Sequence, residues 1–336
     1  MKTIWFDIDN TPHVNFFKPL ITYLKDDHQL IFTLKEFAEV RKLFEKEIAL
    51  DYKMIGKHKG GLKIMKIYGV LERTIQLLSK MEKFDVKISI GGDSSNLCAK
   101  IRGKKSITFD DNETAPNWRY SKFTDFAFWP SAIPLEIILS QGFKRSKVLR
   151  YNGFKENIYI ADYKPDPEFL SSIPFNNFVV VRPENILANY VDSNKSIVPE
   201  LIDLLLKEGH NILFLPRYKQ DYQLVKKNDK IYIPPGPLNG LDVCYYADAV
   251  LTGAGTIARE AVCMGTPALS FYAGSKLLLV DQVLIKQGEM IHSRKPSEIV
   301  SYLKKINKKP FNSEKSKEVK KEVFSKVDEL LAEWLN

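Results

Sequence analysis

The sequence has few cysteines and no long apolar segment. Only Cys98, Cys244 and Cys263 occur in 336 residues, and no two of them have C-x-x-C spacing. This excludes a disulfide scaffold and a metal site built on paired thiolates, so buried free thiols are expected. No apolar run approaches the roughly 20 residues that span a bilayer, and the first residues lack a signal-peptide core. We therefore expect a cytoplasmic protein.

Charge and composition narrow the class of ligand. The formal net charge is +9, with 44% hydrophobic and 27% charged residues. These fractions are typical of a globular protein, and the positive balance favours anionic ligands or an anionic membrane surface. The aromatic residues fall mostly in predicted strands, so we expect no nucleic-acid platform.

The first half of the chain alternates β-branched or aromatic segments with stretches of helical periodicity. Strands are predicted at 3–6, 30–33, 86–90 and 106–109, and helices at 14–25, 36–45, 70–81 and 95–102. Such β-α-β alternation is typical of a parallel sheet covered by helices on both faces.

The second half restarts the same pattern. Strands are predicted at 178–181, 212–215, 231–233, 249–251 and 268–271. Residues 25–32 (KDDHQLIF) and 207–214 (KEGHNILF) occupy the same place in each half, where a helix ends and the second strand begins. Two doubly wound, Rossmann-like α/β domains explain this repeat, and they predict a central cleft that both domains face.

The domain boundaries follow from composition. We predict an N-terminal domain at 1–155, a linker rich in turn-forming residues at 156–170, and a C-terminal domain at 171–312. A closing amphipathic helix is expected at 313–336, because Val319, Val323, Val327, Leu330 and Leu331 share one helical face.

The strongest motif runs from residue 249 to residue 261, where a strand enters a turn of small residues that opens a helix. The turn comprises Gly253, Ala254, Gly255 and Thr256. Free amides and the positive end of a helix dipole suit a diphosphate, and glycine lets phosphate oxygens approach. Glu260 lies one turn further on, where its carboxylate can accept two ribose hydroxyls.

Other residues of the second half are predicted to complete this substrate site. Arg182 and Arg217 follow strands whose carboxyl ends line the ligand crevice of a parallel sheet, so their guanidinium groups can grip a pyrophosphate without a metal ion. Leu241 lies in a turn that precedes a short predicted helix.

These motifs resemble those of known enzymes. The Gly253 turn with Glu260 is similar to the donor-binding motif of UDP-N-acetylglucosamine 2-epimerases and of the glycosyltransferase that completes lipid II. Taken whole, the chain resembles a prokaryotic family of unassigned function related to them, through the segments 9–14, 151–156, 181–184 and 215–218 and the Gly253 motif. The resemblance implies a GT-B fold and a nucleotide-diphosphate sugar, UDP-linked in those relatives, as the partner. It also implies base contacts near Leu241.

A polar loop follows the first strand. It contains Asp9, Asn10 and His13, and His13 resembles the histidine of the Gly-His-Val segment in many GT-B transferases. An imidazole titrates near neutrality and can take a proton from an acceptor hydroxyl. Asp9 and His13 are therefore the candidate catalytic residues, and Asn10 a candidate substrate contact.

Two further loops end strands of the first sheet. Gly91, Gly92 and Asp93 precede a helix, and the glycines resemble the second glycine-rich loop of the lipid II enzyme. Glu113 aligns with an acidic residue that contributes to the epimerase active site, and it is a third candidate catalytic residue. Both loops are expected to border the cleft.

The function predicted from these features is metal-independent glycosyl transfer, without a cofactor, for cell-envelope or glycoconjugate synthesis. The acceptor is unknown. The basic stretch 57–66, which includes His58, is compatible with a lipid-linked acceptor and with peripheral contact with the inner face of the membrane, since basic segments attract anionic lipid.

Three alternatives stay open. Epimerisation at C2 of a UDP-sugar uses the same donor site, although the epimerase's catalytic Asp, Glu and His pattern is not legible. A haloacid-dehalogenase-type phosphatase would use Asp7-x-Asp9-x-Thr11 with Asp110 and Asp111, but it leaves the second half unexplained. A binding protein without catalysis is the third.

Overall fold

The chain folds into two compact units. The computed structural model describes residues 1–37, 40–57, 63–184 and 196–335, of which 63–66 by their backbone alone. Unit 1 comprises Met1–Tyr159 together with Lys317–Asn336, and unit 2 comprises Ile160–Ser316. The boundary falls inside the predicted linker, and most of the closing helix belongs to unit 1.

Unit 1 is built on one sheet of parallel strands. Its strands are β1 (Thr3–Ile8), β2 (Gln29–Glu36), β3 (Lys53–Lys57), β4 (Val86–Ile90), β5 (Lys105–Phe109), β6 (Phe126–Pro130) and β7 (Val148–Tyr151). The helices that follow these strands are α1 (Thr11–Leu24), α2 (Val40–Glu47), α3 (Lys63–Lys80), α4 (Asp93–Ile101), α5 (Leu135–Ser140) and α6 (Lys155–Ile160). The strand order is β3-β2-β1-β4-β5-β6-β7.

Unit 2 repeats this plan. Its parallel strands are β8 (Val179–Arg182), β9 (Ile212–Phe214), β10 (Ile231–Tyr232), β11 (Ala249–Thr252), β12 (Ala268–Ser270) and β13 (Met290–His292). The helices are α7 (Val198–Lys207), α8 (Gly240–Tyr246), α9 (Gly255–Cys263), α10 (Leu279–Lys286) and α11 (Pro296–Leu303). The strand order is β10-β9-β8-β11-β12-β13.

The two sheets share one topology. In each, the first strand lies in the middle, the next two extend to one side, and the later strands extend to the other. The sequence repeat 25–32 and 207–214 leads into β2 and β9, which pair with the first strands of their sheets. The prediction of two Rossmann-like domains is confirmed. The strand order reverses between β1 and β4 and between β8 and β11, and ligands of such sheets bind beside these switch points.

The last helix, α12 (Glu314–Leu335), packs on unit 1. Val323 and Val327 are fully buried, and Val319, Leu330 and Leu331 are nearly so. The hydroxyl of Tyr23 on α1 donates to Asp328 at 2.5 Å. The apolar face visible in the sequence is therefore the packing face of this helix.

Several elements differ from the sequence-based predictions. β3, β6, β7 and β13 were not predicted, and the helix predicted from Glu36 begins at Val40, because β2 continues through Glu36. β3 has no alternating pattern because most of its residues are at least partly exposed. All five residues of β6 are buried, which gives a short run without periodicity.

Among the described residues no helix is long and apolar enough to cross a membrane. Residues 58–62 of the basic stretch, including His58, lie outside the described residues.

Candidate functional site

The loop after β1 joins Asp9 to His13. Asn10 is the N-cap of α1, and its side chain accepts a hydrogen bond from the amide of Thr11 at 2.9 Å. The cap starts the helix so that Nδ1 of His13 lies 3.0 Å from Oδ1 of Asp9. Burial alone would raise the pKa of Asp9, but His13, Arg73 and Lys35 hold it well below its usual value. Asp9 is therefore an ionised carboxylate beside the imidazole.

The loop after β4 is held by hydrogen bonds to its carbonyl groups. Ser89 Oγ donates to the carbonyl of Gly91 at 2.6 Å, and Asn96 Nδ2 donates to the carbonyls of Gly91 and Gly92 at 3.0 Å. Gly92 has a φ of 99°, and a Cβ there would lie 2.6 Å from Ser95 Oγ. Glycine is thus required at this position before any ligand is considered.

A cavity of about 270 Å³ opens beside these two loops in unit 1. It lies at the switch point of the sheet, where the loops after β1 and β4 meet. Its lining residues are Asp9, Lys35, Val70, Arg73, Ile90, Gly91, Gly92, Asp93, Ser94, Asp110, Ala115, Pro116, Asn117 and Tyr120. Four of the predicted site residues, Asp9, Gly91, Gly92 and Asp93, therefore share one cavity.

Two carboxyl groups of this cavity have raised pKa values. Burial raises the pKa of Asp110 to about 6, although the Tyr120 hydroxyl and the amides of Asp111 and Asn112 donate hydrogen bonds to it. Burial also raises the pKa of Asp93, against the opposing charge of Arg119 at 3.6 Å. An acid that titrates near neutrality can both give and take a proton.

Asp7 has a different environment, although it belongs to the same segment as Asp9. Its two carboxylate oxygens accept hydrogen bonds from Arg73 at 2.6 and 3.0 Å, and Thr33 Oγ1 donates at 2.6 Å. Burial would raise the pKa of Asp7, but Arg73 holds it below its usual value. A buried, bidentately paired carboxylate is poorly placed for nucleophilic attack, so this geometry disfavours the phosphatase hypothesis.

Unit 2 places two arginines at the end of β8 and after β9. Burial and the neighbouring charge of Arg217 lower the pKa of Arg182 to about 10, and Glu260 acts in the opposite direction. Nε of Arg217 donates to the carbonyl of Pro183 at 3.0 Å. Within the described residues the Arg182 guanidinium makes no hydrogen bond or ion pair. The fold thus brings Arg217 and Glu260 within electrostatic range of Arg182.

The Gly253 turn leads from β11 into α9. The amide of Gly253 donates to the carbonyl of Arg182 at 3.0 Å, and the amide of Ala254 donates to Thr252 Oγ1 at 2.9 Å. These two amides are engaged within the protein. Gly255 and Thr256 begin the helix, where backbone amides have no intrahelical acceptor. A phosphate at this turn would therefore accept hydrogen bonds from the amides of Gly255 and Thr256.

The glycine of this turn has a packing role. A Cβ on Gly253 would lie 2.5 Å from the Cα of Glu184 and 2.8 Å from its amide nitrogen. The buried Glu184 accepts hydrogen bonds from Ser196 Oγ and from the amide of Ile197, just before α7. Gly253 therefore lets two loops of unit 2 approach closely.

Glu260 and Leu241 lie near the start of α8. Glu260 is 8% exposed, and a Cβ on Gly240 would lie 3.9 Å from its Oε2. The amide of Leu241 donates to Asn239 Oδ1 at 2.9 Å, so the Asn239 side chain caps α8. A base contact by this amide would require the ligand to replace the Asn239 side chain.

The remaining predicted residues lie beside the unit 1 cavity. Among the described residues, His13 and Glu113 are not part of its lining; His13 contacts Asp9, and Glu113 lies in the loop between Asp110 and Ala115. The polar lining residues that the sequence did not indicate include Lys35, Arg73 and Tyr120, whereas Asp110 belongs to a loop that was expected to border the cleft. Asp110 follows directly on β5, and this position was the available signal.

Solved structures of similar fold cover the whole chain. A UDP-GlcNAc 2-epimerase from Methanocaldococcus jannaschii, in complex with UDP-GlcNAc and UDP, matches with a TM-score of 0.70 at 16% identity, over 96% of this chain and 99% of that chain. The UDP-N-acetylglucosamine 2-epimerase from Rickettsia bellii gives 0.70 at 16% identity, over 98% of each chain. The glycotransferase of kitacinnamycin gives 0.64 at 9% identity, over 99% of each chain. The fold is that of the GT-B class.

Sequence comparison places the chain within a family. Residues 2–333 match the family described as "Protein of unknown function (DUF354)", and the chain belongs to it. An uncharacterized protein of Methanocaldococcus jannaschii, MJ0665, is 28% identical over 323 residues, which are 89% of this chain and 90% of the relative.

Proposed function

We propose that this protein binds a nucleoside-diphosphate sugar through unit 2 and transfers the sugar to an acceptor with groups from unit 1. The observation that carries the proposal is Arg182, a partly buried guanidinium at the switch point that makes no ion pair within the described residues and whose pKa is lowered by desolvation. A buried cation is costly without a counter-ion, and a diphosphate supplies one.

The neighbours of Arg182 fit the same ligand. Arg217 adds a second positive charge, and the opening amides of α9 add hydrogen-bond donors. These groups would offset the charge that develops on a departing diphosphate. The carboxylate of Glu260 would accept ribose hydroxyls. Several structures of similar fold are named UDP-GlcNAc 2-epimerases, one of them solved with UDP-GlcNAc and UDP, which supports a UDP-linked donor.

His13 would act as the base for transfer. Its Nδ1 faces Asp9 at 3.0 Å, which leaves Nε2 for the hydroxyl of an acceptor. Because Asp9 is held ionised, it stabilises the imidazolium that forms when His13 takes the proton.

Epimerisation at C2 of the bound sugar is the second candidate. It is favoured by the pair of Asp93 and Asp110, whose raised pKa values suit proton removal and return in the unit 1 cavity. This reaction would need no acceptor.

Calorimetry tests donor binding. Titration with UDP, GDP and UDP-GlcNAc, with and without magnesium, should give binding that does not depend on the metal. Arg182→Met should weaken binding of UDP by about 10- to 100-fold, since a charged hydrogen bond contributes about 1.5–3 kcal/mol. Glu260→Ala should weaken it as well. Lys295→Met, at a side chain of unit 2 that is 76% exposed, should bind as the wild type does. Absence of nucleotide binding by the wild type would overturn the proposal.

Turnover of UDP-GlcNAc in deuterated water separates the two reactions. Transfer predicts that UDP is released only when an acceptor is present, and that His13→Gln abolishes the release. Epimerisation predicts a second UDP-sugar with deuterium at C2, visible by proton NMR, without any acceptor, and its loss in Asp110→Asn.

A further inference from the structure

One tryptophan, in the loop that follows β5, is largely exposed to solvent. Trp118 is 65% exposed, whereas Trp5 and Trp129 are completely buried. It lies in the 3-10 turn Asn117–Arg119, and the cavity is lined by Asn117 and Tyr120 on either side of it. Tryptophan is enriched at binding interfaces, because its indole offers a large apolar face together with a polar N–H group.

The turn that carries Trp118 is fixed before any ligand arrives. Asn117 is 1% exposed and its Nδ2 donates to the carbonyl of Asn112 at 2.8 Å. Tyr120 is 3% exposed, and its hydroxyl donates to Asp110. A ligand that contacts the indole would therefore meet a preorganised loop, which lowers the entropy cost of binding.

Arg119 links the indole to the cavity. Its guanidinium lies 5.7 Å from the centroid of the Trp118 ring and pairs with Asp93 at 3.6 Å. The indole and a carboxyl group of the cavity thus have Arg119 as a common neighbour.

We propose that Trp118 and the unit 1 cavity form a subsite for a neutral carbohydrate ring, the acceptor of the transfer reaction. Carboxylates such as Asp9 and Asp93 accept hydrogen bonds from neighbouring hydroxyls, and an indole packs against the apolar C–H face of a pyranose. Three carboxyl groups, those of Asp9, Asp93 and Asp110, line the cavity together with two basic groups, Lys35 and Arg73. Because Arg73 is already paired with Asp7, the carboxyl groups outnumber the available basic groups and disfavour an anionic ligand. This inference rests on the proposed function and names the class of acceptor.

Saturation-transfer NMR and calorimetry on the full chain test the subsite. The probes are methyl β-N-acetylglucosaminide, methyl α-glucopyranoside and the anionic methyl glucuronide. The wild type should bind at least one neutral glycoside, with saturation transferred to its ring C–H protons. Trp118→Ala should weaken binding of the glycoside by at least about tenfold, and Trp118→Phe should weaken it less. Tyr302→Ala, at a 44% exposed side chain of unit 2, should leave the affinity for the glycoside unchanged.

UDP titration of the same variants keeps the two proposals separate. Trp118→Ala should bind UDP within about twofold of the wild type and unfold at the same urea concentration, since its side chain is mostly exposed. The subsite is refuted if no neutral glycoside binds the wild type, if Trp118→Ala binds as tightly, or if the glucuronide binds best. Failure of the proposed function would appear differently, as glycoside binding without any UDP binding.

Discussion

At the scale of single residues, position in the chain says little about the chemistry of an aspartate. Asp7 and Asp9 are two residues apart, yet one is bonded bidentately to Arg73 and the other faces His13 and the cavity. Both have lowered pKa values, whereas burial raises those of Asp93 and Asp110 in the same unit. The neighbours that differ are Arg73 on α3, His13 on α1, and Arg119 and Tyr120 in the loop after β5.

Asp110 should make the stability of the protein depend on pH. Its pKa is raised from 3.8 to about 6, so the folded protein keeps a proton that the unfolded chain has lost. Stability should therefore fall as the pH rises from about 4 to about 6 and then level off. The total fall attributable to Asp110 is about 3 kcal/mol at most, from about 1.4 kcal/mol per pKa unit.

Urea unfolding at pH 4, 5, 6 and 7 measures this effect as the difference between the wild type and Asp110→Asn. The variant should lack the fall, and Asp26→Asn, in an exposed turn, should keep it. Equal pH dependence of the wild type and Asp110→Asn would contradict the assignment.

At the scale of elements, each unit assembles its own candidate residues, unit 1 from the loops that follow β1 and β4 and unit 2 from the loops that follow β8 and β11. Each of these strands lies next to a switch point, so its loop meets the loop of a strand distant in sequence. In unit 2 this brings the Gly253 turn against the backbone of Glu184. The sequence motif suggested that Gly253 serves a phosphate, and the tertiary contact adds a requirement of packing.

Gly253→Ala should destabilise unit 2 even without ligand. Its Cβ would lie 2.5 Å from a backbone carbon, which neither loop can relieve by a side-chain rotation. Overpacking of this kind costs about 1–3 kcal/mol. Gly236→Ala is the matched control in the same unit, because a Cβ there meets no atom within 4 Å. Equal unfolding midpoints for the two variants, measured by circular dichroism, would show that the contact is relaxed in solution.

At the scale of the whole molecule, unit 1 is not continuous in sequence. Its final part, Lys317–Asn336, follows the whole of unit 2. The buried side chains of α12 complete the core of unit 1, and all four tryptophans, at positions 5, 118, 129 and 334, belong to this unit. Tryptophan fluorescence therefore reports on unit 1 alone.

A chain that ends at Ser316 should fail to fold unit 1. It would lose the apolar contacts of Val319, Val323, Val327, Leu330 and Leu331. At about 1.5–3 kcal/mol for each fully buried side chain, the loss is comparable with the whole stability of a domain. Tryptophan emission should shift to that of exposed indole, while hydrogen exchange of unit 2 peptides stays slow. Native emission from the shortened chain would show that α12 is dispensable.

Local sequence determined much of this protein. Short apolar segments between helical stretches indicated the central strands β1, β4, β8 and β11. A strand that is buried on both faces consists almost entirely of apolar residues, so it can be recognised in the sequence. The repeat at 25–32 and 207–214 indicated two units of one topology, and the helical spacing of apolar residues from Val319 onward indicated α12. Candidate site residues such as Asp9, His13 and Arg182 could be chosen because they follow predicted strands.

Only the tertiary structure decided which of these residues meet and what charge each carries. Edge strands such as β3 and β7 have partly exposed residues and no clear pattern, so their place in the sheet depends on the neighbouring strand. The pairing of Asp7 with Arg73, the raised pKa of Asp110 and the exposure of Trp118 all arise from groups distant in sequence. Desolvation and charge pairing depend on distances in space, and the order of residues along the chain does not contain those distances.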